Sequence, residues 1–243
     1  METAERRAAL VIVAHPDDAE FGCAGTVAAW TREGWEVTYV ICTDASGGGP
    51  DDATEITPKA RARTTATRKA EQRAAGAVLG LHDIVFLDYP DGQIQPTLDL
   101  RRDLVRAIRR YRPQRVLLQS PERTWTPSYS IPRHHPDHLA VGEAALAALY
   151  PAAQNAWDFP ELLTEGLLPH KVSEFYIMGA PIQNHAVDIS ATFEQKLAAL
   201  RAHVSQLGEN TTELEAMLRG WAAEGGKPYG FDYAEVFHLA QQR

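Results

Sequence analysis

The chain has 243 residues, 44% hydrophobic and 23% charged, which is an ordinary globular composition and excludes the apolar-poor, charge-rich class that stays disordered. A formal net charge of -8 argues against a nucleic-acid partner, since such proteins gather basic residues on one surface. No segment reaches the ~18 consecutive apolar residues of a membrane span, and the opening Met-Glu-Thr-Ala-Glu-Arg-Arg has no signal-peptide character. Cys23 and Cys42 sit apart in apolar stretches and form no Cys-x-x-Cys pair. The expectation is one cytoplasmic domain over residues 1–243 with two buried thiols and no membrane partner.

In chain order, Ala8 to Ala14 is a continuous apolar run rich in β-branched residues, the pattern of a strand buried on both faces. A helix is expected from Phe21 to Arg32 and a second strand from Glu36 to Cys42, completing a βαβ unit. A glycine-rich loop at Ser46 to Pro50 follows. Next come a helix from Pro58 to Leu79, a strand at Ile84 to Leu87, a helix from Leu98 to Tyr111 and a strand at Arg115 to Gln119. Seven arginines between Arg101 and Arg115 interleave with Leu100, Leu104, Val105, Ile108 and Tyr111 at helical spacing, which reads as a solvated helix face. A helix opens at His138 and runs through Leu149. Strands are expected at Val172 to Met178 and around Val187, then a helix from Thr192 to about Val204 and an edge strand near Glu235 to Ala240. This alternation implies a Rossmann-like, three-layer α/β/α architecture with a mostly parallel sheet. Two long loops, Pro121 to Arg133 and Tyr150 to His170, carry Trp125, Tyr129, Trp157 and Phe159, and are expected to pack and form a pocket.

Two clusters carry chemistry. Ala14-His15-Pro16-Asp17-Asp18 stands at the end of the first strand, and in open α/β sheets ligands bind at the carboxyl ends of strands. An imidazole and carboxylates are the borderline donors that suit zinc. Adjacent residues in an extended loop point different ways, so one of Asp17 and Asp18 binds metal and the other does something else; either could instead cap the following helix. The second cluster, His134-His135-Pro136-Asp137-His138, opens a helix after the fourth strand, where His135 and His138 share a face. His134 is left out of the site.

These two motifs, with Thr43-Asp44-Ala45-Ser46-Gly47 after the second strand, Arg68-Lys69-Ala70-Glu71 on a helix and the late Lys196 to Gln206 segment, resemble the PIG-L (LmbE-like) zinc deacetylases. The resemblance implies His15, Asp18 and His138 as Zn2+ ligands, Asp17 as general base and His135 as support for the tetrahedral intermediate. Asp137 then orients His135, or caps the helix. The resemblance also implies Arg68 and Asp91 as contacts to sugar hydroxyls, against a salt bridge with Glu71 for Arg68 and a turn role before Gly92 for Asp91. Asp44 departs from the family's usual glycine-after-aspartate form. His203 reads as a structural residue at a helix end, favourable against the dipole. The implied activity is removal of an N-acetyl group from an N-acetylglucosamine-containing small molecule. Alternatives are a zinc amidase of the same fold that cleaves another amide, and a sugar-binding protein without chemistry. The Tyr150 to His170 loop could complete a neighbour's pocket in a homo-oligomer. No Walker lysine or Gly-x-Ser-x-Gly elbow is present, which sets aside nucleotide binding and serine hydrolysis.

Overall fold

The six residues of β1 (Ala8–Val13) are all apolar, so neither face can meet water and the strand must sit inside a covered sheet. A computed structural model describes residues 6–50, 52–125 and 134–242. In it β1 is flanked by β2 (Glu36–Thr43) and β4 (Arg115–Gln119), both parallel to it. β3 (Asp83–Tyr89) pairs in parallel with β2, and β5 (Glu174–Met178) with β4. β6 (His185–Asp188) and β7 (Ala234–Gln241) complete one seven-stranded sheet in the order β3-β2-β1-β4-β5-β7-β6. β7 runs antiparallel to both of its neighbours.

Nine α-helices are described: α1 (Asp18–Gly22), α2 (Ala24–Arg32), α3 (Pro58–Leu79), α4 (Leu98–Tyr111), α5 (Pro136–Leu149), α6 (Glu161–Thr164), α7 (Phe193–Leu200), α8 (Val204–Leu207) and α9 (Thr212–Gly226). One sheet face is covered by α4 and α5, whose Leu104, Ile108, Val141 and Ala145 cluster with Leu10, Ile12 and Leu118. On the other face Val27 of α2, Leu79 of α3 and Ala199 of α7 cluster with Val11, Val13 and Ile41. The three-layer α/β/α arrangement follows directly. No helix among the described residues is long and apolar enough to cross a membrane.

Several elements depart from the sequence expectation for tertiary reasons. The first helix is two helices, broken at Cys23, which leaves the helical region at φ -152° and ψ 11°. The break exposes a second helix N-terminus, and Glu235 fills it: its carboxylate accepts the N–H groups of Gly25 (3.0 Å) and Thr26 (2.7 Å). Lys196 completes the joint, donating to Glu235 (2.6 Å) and to the Phe21 carbonyl (2.7 Å). The expected helix from Thr192 is likewise divided into α7 and α8, with His203 between them. β7 is an interior strand, because β6 adds outside it; the sheet edges are β3 and β6. α9 was not expected.

The solvated-face reading of the arginines fails at Arg109, which is 2% exposed and donates to the carbonyls of Ala152, Ala153, Asn155 and Asp158. It thereby pins the start of the Tyr150 to His170 loop to α4. Of the aromatic residues in these loops, Phe159 packs against the core as expected, whereas Trp157 is 90% and Trp125 79% exposed. Tyr129 and most of the Pro121 to Arg133 loop lie outside the described residues. Cys23 and Cys42 are free and buried.

Glu235 joins α1, α2, α7 and β7 through a buried ion pair, and truncating one partner strands the other charge. Glu235→Ala is expected to lower unfolding free energy in urea by about 3–5 kcal/mol; a loss below about 1 kcal/mol, the range of exposed pairs, would show that the joint is dispensable.

Candidate metal centre

The strand order reverses between β1 and β4, so the chain leaves their carboxyl ends in opposite directions and opens a cleft there. His15 sits two residues beyond β1, and His135 and His138 come from the N-terminal end of α5. Asp17 turns the loop between them: its φ of 85° lies in the left-handed region, unusual for a residue with a side chain. This sends the Asp17 and Asp18 carboxylates to different partners.

Asp18 faces both histidines. One carboxylate oxygen lies 3.4 Å from His15 Nδ1, the other 3.1 Å from His138 Nε2, and the two nitrogens are 3.2 Å apart. In a tetrahedral zinc site, bonds of roughly 2.0–2.1 Å put ligand atoms about 3.3 Å from one another. Each nitrogen faces its own oxygen of Asp18, and all three separations are close to those of neighbouring ligand atoms in such a site. His135 lies alongside, its ring nitrogen within 4.8 Å of those of His15 and His138.

The other nitrogen of His15 meets two more carboxylates, Asp91 at 3.1 Å and Asp137 at 3.2 Å. Burial alone would depress the His15 pKa, but Asp137, Asp18 and Asp91 outweigh it and push it up to about 12. The same negative field favours a metal cation. Carboxylates behind a ligating imidazole are the usual outer support of a metal site, fixing the ring's tautomer and direction. The donor set thus fits a zinc-sized dication.

Asp137 had been expected to orient His135. Its carboxylate instead reaches His15 and accepts the Gly92 N–H (2.8 Å), while its backbone N–H donates to His135 Nδ1 (3.2 Å). His135, not Asp137, is the helix N-cap. Nor does Asp17 act as a side-chain cap of α1. Its carboxylate accepts from Arg68 Nη2 (3.0 Å), which also donates to the Pro16 carbonyl (2.8 Å). Burial and the neighbouring Asp18 charge push Asp17 up to about 6, against the opposing pull of Arg68.

Arg68 therefore pairs with Asp17 rather than Glu71, which binds Ser205. Asp91 turns its carboxylate inward, to His15 and to the Gly47 N–H (2.9 Å). The glycine-rich loop makes room for both: a Cβ on Gly48 would lie 2.4 Å from Arg68 Nη1, and one on Gly47 3.0 Å from Asp91. Asp44 anchors this corner by accepting the Ser46 and Asp91 N–H groups. His134 is buried beside Trp125, 5.8 Å between ring centroids.

Two buried residues that carry no motif belong to the same shell. Gln72 accepts the Asp17 N–H (3.1 Å) and donates to Glu20 (2.9 Å). A sequence signal for Gln72 does exist. Arg68, Gln72, Ala75, Gly76 and Leu79 are the buried residues of α3. Their spacing is one helical stripe, in which two polar residues occupy core positions.

An open α/β sheet with histidine and aspartate donors gathered at its switch point is a site able to hold a metal ion. The chain belongs to the PIG-L family, described as GlcNAc-PI de-N-acetylase, whose model matches residues 10–149. It is 35% identical over 229 residues to a diacetylchitobiose deacetylase of Thermococcus kodakarensis, covering 93% of this chain and 80% of the relative. It is 29% identical to a Bacillus anthracis protein named probable N-acetyl-alpha-D-glucosaminyl L-malate deacetylase 2, covering 86% and 85%. Among solved structures, the N,N'-diacetylchitobiose deacetylase of Pyrococcus horikoshii, in complex with an inhibitor, superposes with a TM-score of 0.84 at 29% identity. That match covers 98% of this chain and 85% of the other.

The seating of α5 sets where His138 lies. Gly142, one turn further along, allows close approach: a Cβ there would stand 2.5 Å from the Gln119 carbonyl oxygen and 2.8 Å from Pro121 N. Gly142→Ala must push α5 off β4, and is expected to lower the unfolding free energy by about 1–3 kcal/mol. Calorimetry checks this, and an unchanged melting temperature would mean that α5 is not held against β4.

Proposed function

We propose that this protein is a zinc-dependent N-deacetylase that hydrolyses the acetamide of an N-acetylglucosamine-containing small molecule, with His15, Asp18 and His138 as the metal ligands. The observation that carries this reading is the 3.1–3.4 Å triangle of His15 Nδ1, His138 Nε2 and the Asp18 carboxylate, each nitrogen facing its own oxygen, with the Asp17–Arg68 pair next to it. Two imidazoles and one carboxylate make a donor set used by catalytic zinc, with a position left open. Zinc held there would polarise the scissile carbonyl and acidify the attacking water.

The chain's own residues supply the rest. Asp17 is committed to Arg68 through Oδ2, which leaves Oδ1 to take the proton of the attacking water. Arg68 holds that carboxylate in place. His135 Nδ1 accepts a backbone N–H, so in the neutral ring the proton sits on Nε2, a donor to the oxyanion that develops on the acetamide oxygen. Asp137 and Asp91 hold His15 through Nε2 and keep Nδ1 directed at the donor triangle. Asp17 then returns its proton to the departing amine. Arg68 and Asp91, brought together by the glycines of residues 47 and 48, are also the proposed contacts to sugar hydroxyls.

N,N'-diacetylchitobiose is the first substrate to test, since the 35% identical relative carries that name. The zinc-loaded protein is expected to release acetate from it. Asp17→Asn should keep one zinc per chain and lose about 10²–10⁴-fold in turnover, the usual worth of a positioned base. Zinc loss with the substitution would make Asp17 a ligand instead. Turnover confined to larger acyl amides would favour an amidase of another specificity.

A further inference from the structure

Asp17 adopts a left-handed backbone conformation that costs a residue with a side chain more than the ordinary helical or extended ones, so contacts that hold it there matter. Its backbone N–H has one described partner, Gln72 Oε1. A glutamine amide can present either its oxygen or its nitrogen. Here the choice is made from behind, because Gln72 Nε2 donates to Glu20 Oε1 and this leaves only the oxygen for Asp17. Glu20 is fully buried, and its second oxygen makes no hydrogen bond among the described residues.

What stands against that oxygen is His203, also fully buried, with Nε2 at 3.4 Å. The distance is long for a hydrogen bond but that of an ion pair, and neither ring nitrogen has a hydrogen-bond partner among the described residues. The segment carrying His203 is itself fixed. Ser205 donates twice to Glu71, one residue before Gln72, and Gln206 Nε2 donates to the Gly48 carbonyl (2.9 Å). A buried carboxylate needs a cation or a proton beside it, and His203 is the group that supplies one. Burial alone would lower the His203 pKa, and Glu20 raises it.

We propose that His203 is a positioning residue for the deacetylation. Through Glu20 and Gln72 it fixes the backbone of Asp17, so that the base points at the reacting water. The helix-end role expected from the sequence is thereby replaced by a chain of four residues from three parts of the fold. This inference rests on the assignment of Asp17 as the base, but its geometric half is testable without turnover.

The test uses zinc-loaded His203→Ala, His203→Gln, Gln72→Leu and the double variant His203→Ala/Gln72→Leu. It reads kcat and KM for acetate release from N,N'-diacetylchitobiose, zinc content, and amide hydrogen exchange across residues 14–21. His203→Ala is expected to lose about tenfold or more in kcat and to speed exchange at Asp17 by a similar factor, as loss of outer supporting groups does, with KM and zinc unchanged. His203→Gln, which restores a donor to Glu20, should recover most of both. The double variant should be no worse than Gln72→Leu, because the two act in series. Wild-type kcat and exchange in folded His203→Ala overturn the proposal, as do losses that multiply in the double variant. If no variant, the parent included, releases acetate, the deacetylase reading fails, and exchange at Asp17 still decides whether His203 fixes it. If His203→Ala does not fold, unchanged exchange at Asp17 in Gln72→Leu overturns the proposal.

Discussion

Three carboxylates, from Asp18, Asp91 and Asp137, converge on the single buried imidazole of His15. Carboxylates gathered inside a protein call for positive charge or a proton among them, and the His15 ring stands where all three can share it. Meeting that demand shapes the rest of the structure around the cleft. The reversal of strand order parts the chain after β1 and β4 and opens the space. The turn at Gly92 and the close approach at Gly47 let Asp91 come inward, and Gly48 does the same for Arg68. The first turn of α5 receives Asp137, where the helix dipole favours a negative charge.

The cleft is supported by parts of the chain far from the two motifs. The family model ends at residue 149, yet Lys196, His203 and Glu235 lie beyond it and reach back to α1 and α2. Glu235 holds the break between those helices, and Glu20 sits inside α1, one turn from Asp17. The C-terminal elements are therefore part of the site's foundation. This explains how Asp17 can be kept in a strained conformation while its carboxylate pairs with a buried arginine.

Much of this was legible in the sequence because it is local. Pro58–Leu79, Leu98–Tyr111 and Arg115–Gln119 read with their observed bounds, and the first strand, expected over Ala8 to Ala14, ends one residue earlier at Val13. The two clusters stood out as candidates because each is contiguous and stands at a strand end, whereas the choice of Asp18 over Asp17 as ligand came from the family resemblance. What did not read was set by partners distant in sequence. The break at Cys23 depends on Glu235, more than 200 residues away, and the interior place of β7 depends on β6 pairing outside it. The partner of Asp137 is a residue 122 positions earlier, so proximity in sequence pointed to His135 instead. Arg109 carries no mark that distinguishes it from the arginines around it, because the carbonyls it binds come from a loop of no regular pattern.

The most direct test of the account is the coordination of zinc by the purified protein, measured as stoichiometry together with X-ray absorption at the zinc edge. The account predicts one zinc per chain with nitrogen and oxygen ligands at about 2.0–2.1 Å, two of them imidazoles, and loss of that zinc in His138→Ala. Stoichiometric zinc that survives His138→Ala, or a sulfur ligand from Cys23 or Cys42, would contradict it.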